Sequence, residues 1–212
     1  MSTNLIHDRN GATGVRTTGM PRSAARAGVA LGGAALLSLG AALPAQAASD
    51  VTSGHADVVA VSSTHEVGSI YDQLGGTFSS WGSSTYDYRL VFDVAGTDVT
   101  CSNGVYTVPN NFNIEGDVPF IGFDNDSASD YEITLGLVSG PGDVAYTSSA
   151  GGLDTANGQV LTVGSGTHQH GAWVFDAGSC GGSHAFVLNF DVLEASPGTN
   201  GADRDIEFVI NG

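Results

Sequence analysis

From residue 48 onward, apolar side chains recur at every second position in short runs, and small polar residues break the runs. In extended backbone successive side chains point to opposite faces, so this alternation marks half-buried strands. The pattern predicts strands over 55–61, 86–94, 105–108, 118–123, 131–138, 144–147, 159–163, 172–175, 185–193 and 206–210. Tyr86, Tyr88, Leu90, Phe92 and Val94 share one face of the second run; Phe186, Leu188, Phe190 and Val192 share one face of the ninth. The breaks are Gly-Gly, Ser-Gly, Pro-Gly and Asn-Asp, all turn formers. No ten-residue window carries a helical period, and no internal repeat or low-complexity linker is visible. About ten short strands at this spacing predict an all-β fold, an antiparallel β-sandwich of Ig-like or jelly-roll-like kind. Residues 48–52 read as a loose lead-in.

One run combines core and chemistry. Read as a single strand, 167–176 places His168, His170, Ala172 and Val174 on one face and Gln169, Trp173 and Phe175 on the other. The Trp/Phe face is expected in the core, which leaves His-x-His on the opposite face as a candidate site.

The first 47 residues follow different rules. Arg9, Arg16, Arg22 and Arg26 precede an apolar stretch over 27–43, and Ala45-Gln46-Ala47 is a small-x-small site. This is the grammar of a secretory signal peptide, with cleavage expected after Ala47 and a single mature domain over 48–212. Nothing after residue 47 is apolar for long enough to span a bilayer as a helix. No sortase-type motif or basic tail follows the closing strand, so a released protein, or one held at the surface by a partner, is expected.

Removing that segment sharpens the charge. The whole chain is at −16, and four of its six basic residues lie in the first 47. The remainder sets Arg89 and Arg204 against twenty-one acidic residues, near −19, with no lysine. Such a surface repels nucleic acid and anionic lipid and attracts cations; adaptation to high salt is an equal explanation of it. Cys101 and Cys180 both fall in the exported part, where an even count predicts one disulfide.

Five motifs then stand in order: Ser53-Gly54-His55-Ala56-Asp57-Val58, Val118-Pro119-Phe120-Ile121-Gly122-Phe123, Val138-Ser139-Gly140-Pro141-Gly142-Asp143-Val144, His168-Gln169-His170-Gly171-Ala172-Trp173-Val174-Phe175 and Phe186-Val187-Leu188-Asn189-Phe190. Their order and spacing resemble the actinobacterial surface-anchored protein domain, or choice-of-anchor M domain, over about residues 51–211. The resemblance implies an exported or cell-surface actinobacterial protein, with envelope or metal-type ABC-transporter components as partners. It carries no established biochemical activity. The chain departs from the family in lacking a recognisable wall anchor and in having its cysteine pair.

Both His/Asp pairs lie in those motifs. His55 and Asp57 share a strand face, as do His168 and His170, and together they offer three imidazoles and a carboxylate. That set suits zinc or another divalent transition metal. The same pattern also suits a structural polar cluster, and residue types alone do not choose. His184 is a further candidate ligand or a strand-end histidine; His65 has little to recommend it. The loop containing Asp124, Asp126 and Asp130 spaces oxygen ligands for calcium, but it lacks the Gly and terminal Glu of an EF-hand, so calcium is the weaker expectation.

No Gly-x-Ser-x-Gly elbow, His-Glu-x-x-His helix or phosphate-cradling loop is present, so no enzyme is expected. The expected function is non-enzymatic binding at the envelope. The rival is a carbohydrate- or protein-binding surface module, with Trp81, Tyr71, Tyr86 and Tyr88 as a stacking surface, or a structural envelope component without metal. For the aromatics, burial at the sandwich edge is the stronger expectation.

Overall fold

A computed structural model of the chain describes residues 49–82, 88–196 and 201–212. The signal peptide read over 1–47 and Tyr86 lie outside the described residues. In chain order the strands are β1 (Ser49–Val51), β2 (Gly54–Val61), β3 (Val67–Tyr71), β4 (Ser79–Ser80), β5 (Tyr88–Asp93), β6 (Thr100–Ser102), β7 (Val105–Val108) and β8 (Pro119–Asn125). They continue as β9 (Tyr131–Ser139), β10 (Val144–Ser148), β11 (Gly151–Asp154), β12 (Val160–Val163), β13 (Thr167–His170), β14 (Ala172–Asp176), β15 (Ser183–Glu194) and β16 (Ala202–Asn211). Two single turns of 3₁₀ helix, Asp72–Leu74 and Phe112–Gly116, are the helical elements among the described residues.

The strands form three sheets, ordered β1-β5-β16-β15-β9-β12, β11-β10-β14-β7-β6 and β13-β8-β2-β3-β4. The six-stranded sheet makes one layer, and the inner faces of the two five-stranded sheets pack against it. Phe123 of β8 approaches Phe190 of β15 at 6.4 Å, and Trp173 of β14 approaches Phe208 of β16 at 5.7 Å. Trp173, Phe175, Phe123, Phe190 and Phe208 are all at most 1% exposed. Burying each large side chain contributes about 1.5–3 kcal/mol, which makes this aromatic cluster the centre of the fold.

The all-β sandwich is what the alternation predicted, with differences. The pairing is mixed: β1 with β5, β5 with β16, and β2 with β8 are parallel. The lead-in is structured, since Val51 is fully buried beside Leu90 and the Arg89 guanidinium grips Asp50 at 2.7 and 2.9 Å. Strands β3, β4, β6 and β11 were not visible, because segments such as Gly151-Gly152-Leu153-Asp154 carry turn residues and too few apolar ones.

The largest correction concerns 167–176. It is two strands in two sheets, divided at Gly171. His168 and His170 lie on β13, paired with β8, whereas Trp173 and Phe175 lie on β14, paired with β10 and β7. A Cβ on Gly171 would run into the Thr147 carbonyl and the Tyr146 ring, so only glycine lets the chain cross there. Cys101 of β6 and Cys180, in the loop before β15, form the expected disulfide with Cα atoms 5.9 Å apart.

Candidate metal centre

The site is built on the outer face of the sheet containing β13, β8 and β2. The two histidine-bearing strands are not neighbours, because β8 runs between them. The register explains how they meet. His55 lies beside Phe120, Asp57 beside Gly122, His170 also beside Gly122, and His168 beside Asp124. Residues paired across strands share a face. Gly122 therefore lies in one row between Asp57 and His170, and it has no side chain to keep them apart. A Cβ there would stand 2.5 Å from His170 Cε1 and 2.6 Å from His170 Nδ1. Phe120 closes one flank, its ring stacked on His170 at 4.0 Å and 7°.

Four donor atoms converge over this gap. His55 Nε2 lies 2.9 Å from both His168 Nε2 and His170 Nε2, and these two are 3.2 Å apart. Asp57 Oδ1 is 3.1 Å from His168 Nε2 and 3.6 Å from His55 Nε2. All four ligand atoms lie within 4.8 Å of one another. Bonds of about 2.0–2.1 Å to a tetrahedral zinc would place donors about 3.3–3.4 Å apart, close to these edges.

Hydrogen bonding alone does not satisfy the arrangement. Each neutral Nε2 is either a donor or a lone pair, so three of them in a triangle cannot all be paired. Protonating the rings replaces lone-pair repulsion by charge repulsion. One cation facing three lone pairs and a carboxylate resolves every contact, so the residues present fit a metal ion.

The electrostatics follow from burial. Asp57, 2% exposed, is pushed up to about 6 by desolvation, opposed by His55 and His168 and reinforced by Asp124. His170 is pushed down to about 4, first by desolvation and then by His55 and His168. Both shifts disfavour charge in the metal-free site.

The other candidates lie apart. His184 bonds the Gly181 carbonyl at 2.9 Å and packs against Tyr106, so it does not join the cluster. His65 takes a left-handed turn conformation (φ 64°) with Nδ1 3.2 Å from the Tyr131 hydroxyl. Asp124, Asp126 and Asp130 form no second metal-competent group among the described residues. Asn125 and Ser127 knit that loop internally, Asn125 also donates to the Val163 carbonyl, and Asp130 accepts the Ser165 amide at 2.8 Å.

Trp81 and Tyr71 are buried rather than presented to a sugar; the Trp81 indole donates to Ser69 Oγ at 2.8 Å. Among the described residues, Phe112 is a large aromatic left exposed, 69% accessible, beside an open groove of about 430 Å³ lined also by Ser53, Gly54, Asn113 and Glu115. Gly122 and Phe120 were missed as site residues, and Asp124 was read only as a ligand of a separate calcium loop. Their one signal was the alternation Phe120-x-Gly122-x-Asp124, which shows a shared face but not which strands flank it.

No family model and no curated protein matches the chain. Among solved structures, the ASH/PapD-like domain (PapD-like domain 7) of human CEP192 aligns over 59% of this chain and 81% of that chain, at 9% identity and a TM-score of 0.32.

Proposed function

We propose that this protein is an exported, non-enzymatic binding protein of the cell envelope that holds one divalent transition metal ion, zinc foremost. His55, His168 and His170 would supply neutral imidazole nitrogens and Asp57 the charge. The observation that carries this reading is the convergence of four donor atoms within 4.8 Å on a face that Gly122 leaves open. The disulfide suits an oxidising compartment, and the acidic surface favours cations. The motif resemblance points to the envelope of an actinobacterium and to metal-transport components as partners. Calorimetric titration of the purified protein with zinc, copper, manganese and calcium tests it. Stoichiometric zinc binding is expected, abolished in His168→Ala/His170→Ala. Absence of binding to every metal would sink the reading.

The exposed Phe112 and its groove favour a second reading, a surface module that binds protein or carbohydrate. Retention of labelled protein on cell-wall preparations, lost in Phe112→Ala but unaffected by chelation, would support that one instead.

A further inference from the structure

The four inner donors do not balance the charge of a divalent ion. Three neutral imidazoles and one carboxylate leave a net +1, half-buried on the outer face of a sheet. Uncompensated charge in such a place is costly, and outer-sphere carboxylates commonly tune metal–histidine sites. The register supplies one. Asp124 is the cross-strand partner of His168, on the same face as all four donors and in the row next to Asp57, Gly122 and His170.

The two flanks of the site differ. On the Phe120 side, an aromatic ring lies flat on His170 and presents nothing to a cation's coordination sphere. On the Asp124 side, the His168 side chain is 48% exposed and β13 is the edge of its sheet. A hydrated cation has an apolar wall on one side and a carboxylate beside an accessible imidazole on the other.

We infer that Asp124 is the outer-sphere carboxylate of this metal centre, neutralising the bound divalent ion and drawing it in along the exposed His168 edge. The inference rests on the metal-binding reading above and extends it to a residue outside the donor set. Asp124 is a positioning and steering residue, not a fifth ligand. It therefore affects how fast and how tightly the ion binds, and leaves its coordination unchanged.

The test uses the full protein with zinc and cobalt(II) as probes, comparing Asp124→Asn, Asp124→Glu and Asp126→Asn. The two asparagine variants carry the same net charge, so any difference between them reports position rather than overall field. Asp124→Asn is expected to weaken zinc binding by about tenfold, the lower end for loss of an outer-sphere partner, and to slow association in stopped-flow competition with a fluorescent zinc indicator. Asp126→Asn should stay within about twofold of wild type, because its more distant charge is better screened. Asp124→Glu, which restores the charge, should recover most of the lost affinity. The visible spectrum of the cobalt complex should be the same in Asp124→Asn as in wild type. Equal effects of the two asparagine variants, or a changed cobalt spectrum, would overturn the role given to Asp124 while leaving the site standing. If the wild type binds neither metal, the site itself falls and this role with it.

Discussion

At the scale of single residues, the site is a set of side chains whose preferences conflict until a cation joins them. Asp57 is easier to bury as the neutral acid and His170 as the neutral base, and each shift has a stability consequence of known sign. Asp57, raised from 3.8 to about 6, contributes stability that is present below pH 3.8 and lost as pH rises through 6. His170, lowered from 6.5 to about 4, contributes stability that is present above pH 6.5 and lost as pH falls through 4. The two displacements are similar in size and opposite in direction. Their joint contribution to the metal-free protein should therefore change little between about pH 4 and 6.5. Metal removes that balance, because it requires neutral rings and an ionised Asp57 together. Zinc at about a hundredfold over its Kd should add roughly 2.7 kcal/mol, or about 5–10 °C of Tm, at pH 7.5. At pH 5 the increment should almost vanish. Scanning calorimetry at both pH values, with and without zinc, reads this directly; an equal increment at pH 5 would mean that these are not the ligands.

At the scale of elements, one glycine decides whether three strands can share an ion. Gly122→Ala would bring a Cβ against the His170 ring and, at 2.8 Å, against the Gln169 carbonyl. Because one of these contacts is backbone, a side-chain rotation cannot relieve both, and β13 must shift away from β8. Zinc affinity should fall by at least about tenfold, with a modest stability loss of about 1–3 kcal/mol from overpacking. Isothermal titration and a denaturant melt of the same variant separate the two effects, and retention of wild-type affinity would show that the gap over Gly122 is not needed. The same glycine shows what could be read in advance. The histidine pairs were visible because imidazoles at i and i+2 advertise chemistry. β15 and β16 were visible because Phe186, Leu188, Phe190, Val192, Ile206, Phe208 and Ile210 alternate cleanly with polar neighbours. Gly122 acts by having no side chain, so it carries no chemical signal of its own. The break at Gly171 stayed hidden because β13 and β14 keep the same alternation while joining different sheets. Pairing with β8 on one side and with β10 and β7 on the other is long-range information that no local window holds.

At the scale of the whole molecule, the disulfide closes a span of 79 residues. It ties β6, at the edge of one sheet, to the loop that leads into β15 at the centre of the opposing layer. On the chain-entropy model this closure contributes roughly 4 kcal/mol, which for a domain of this size corresponds to about 8–16 °C in Tm. Thermal melts of Cys101→Ala/Cys180→Ala should show that loss. The metal site lies on another sheet, so its zinc affinity at 25 °C should be unchanged as long as the variant stays folded. A coupled loss of affinity would mean that the two sheets do not behave as separable parts.

Strand β16 occupies an inner position in the six-stranded sheet, between β15 and β5, although it comes from the last residues of the sequence. Asn211 and Asp93 meet in that sheet across 118 residues of chain. Until residues 202–211 are in place, β5 has only the three-residue β1 for company in its sheet, and the layer beneath the aromatic cluster is open. The domain thus cannot close from its beginning. It closes only when β16 slots between β15 and β5, so completion of this layer waits on contacts that span as much as 118 residues.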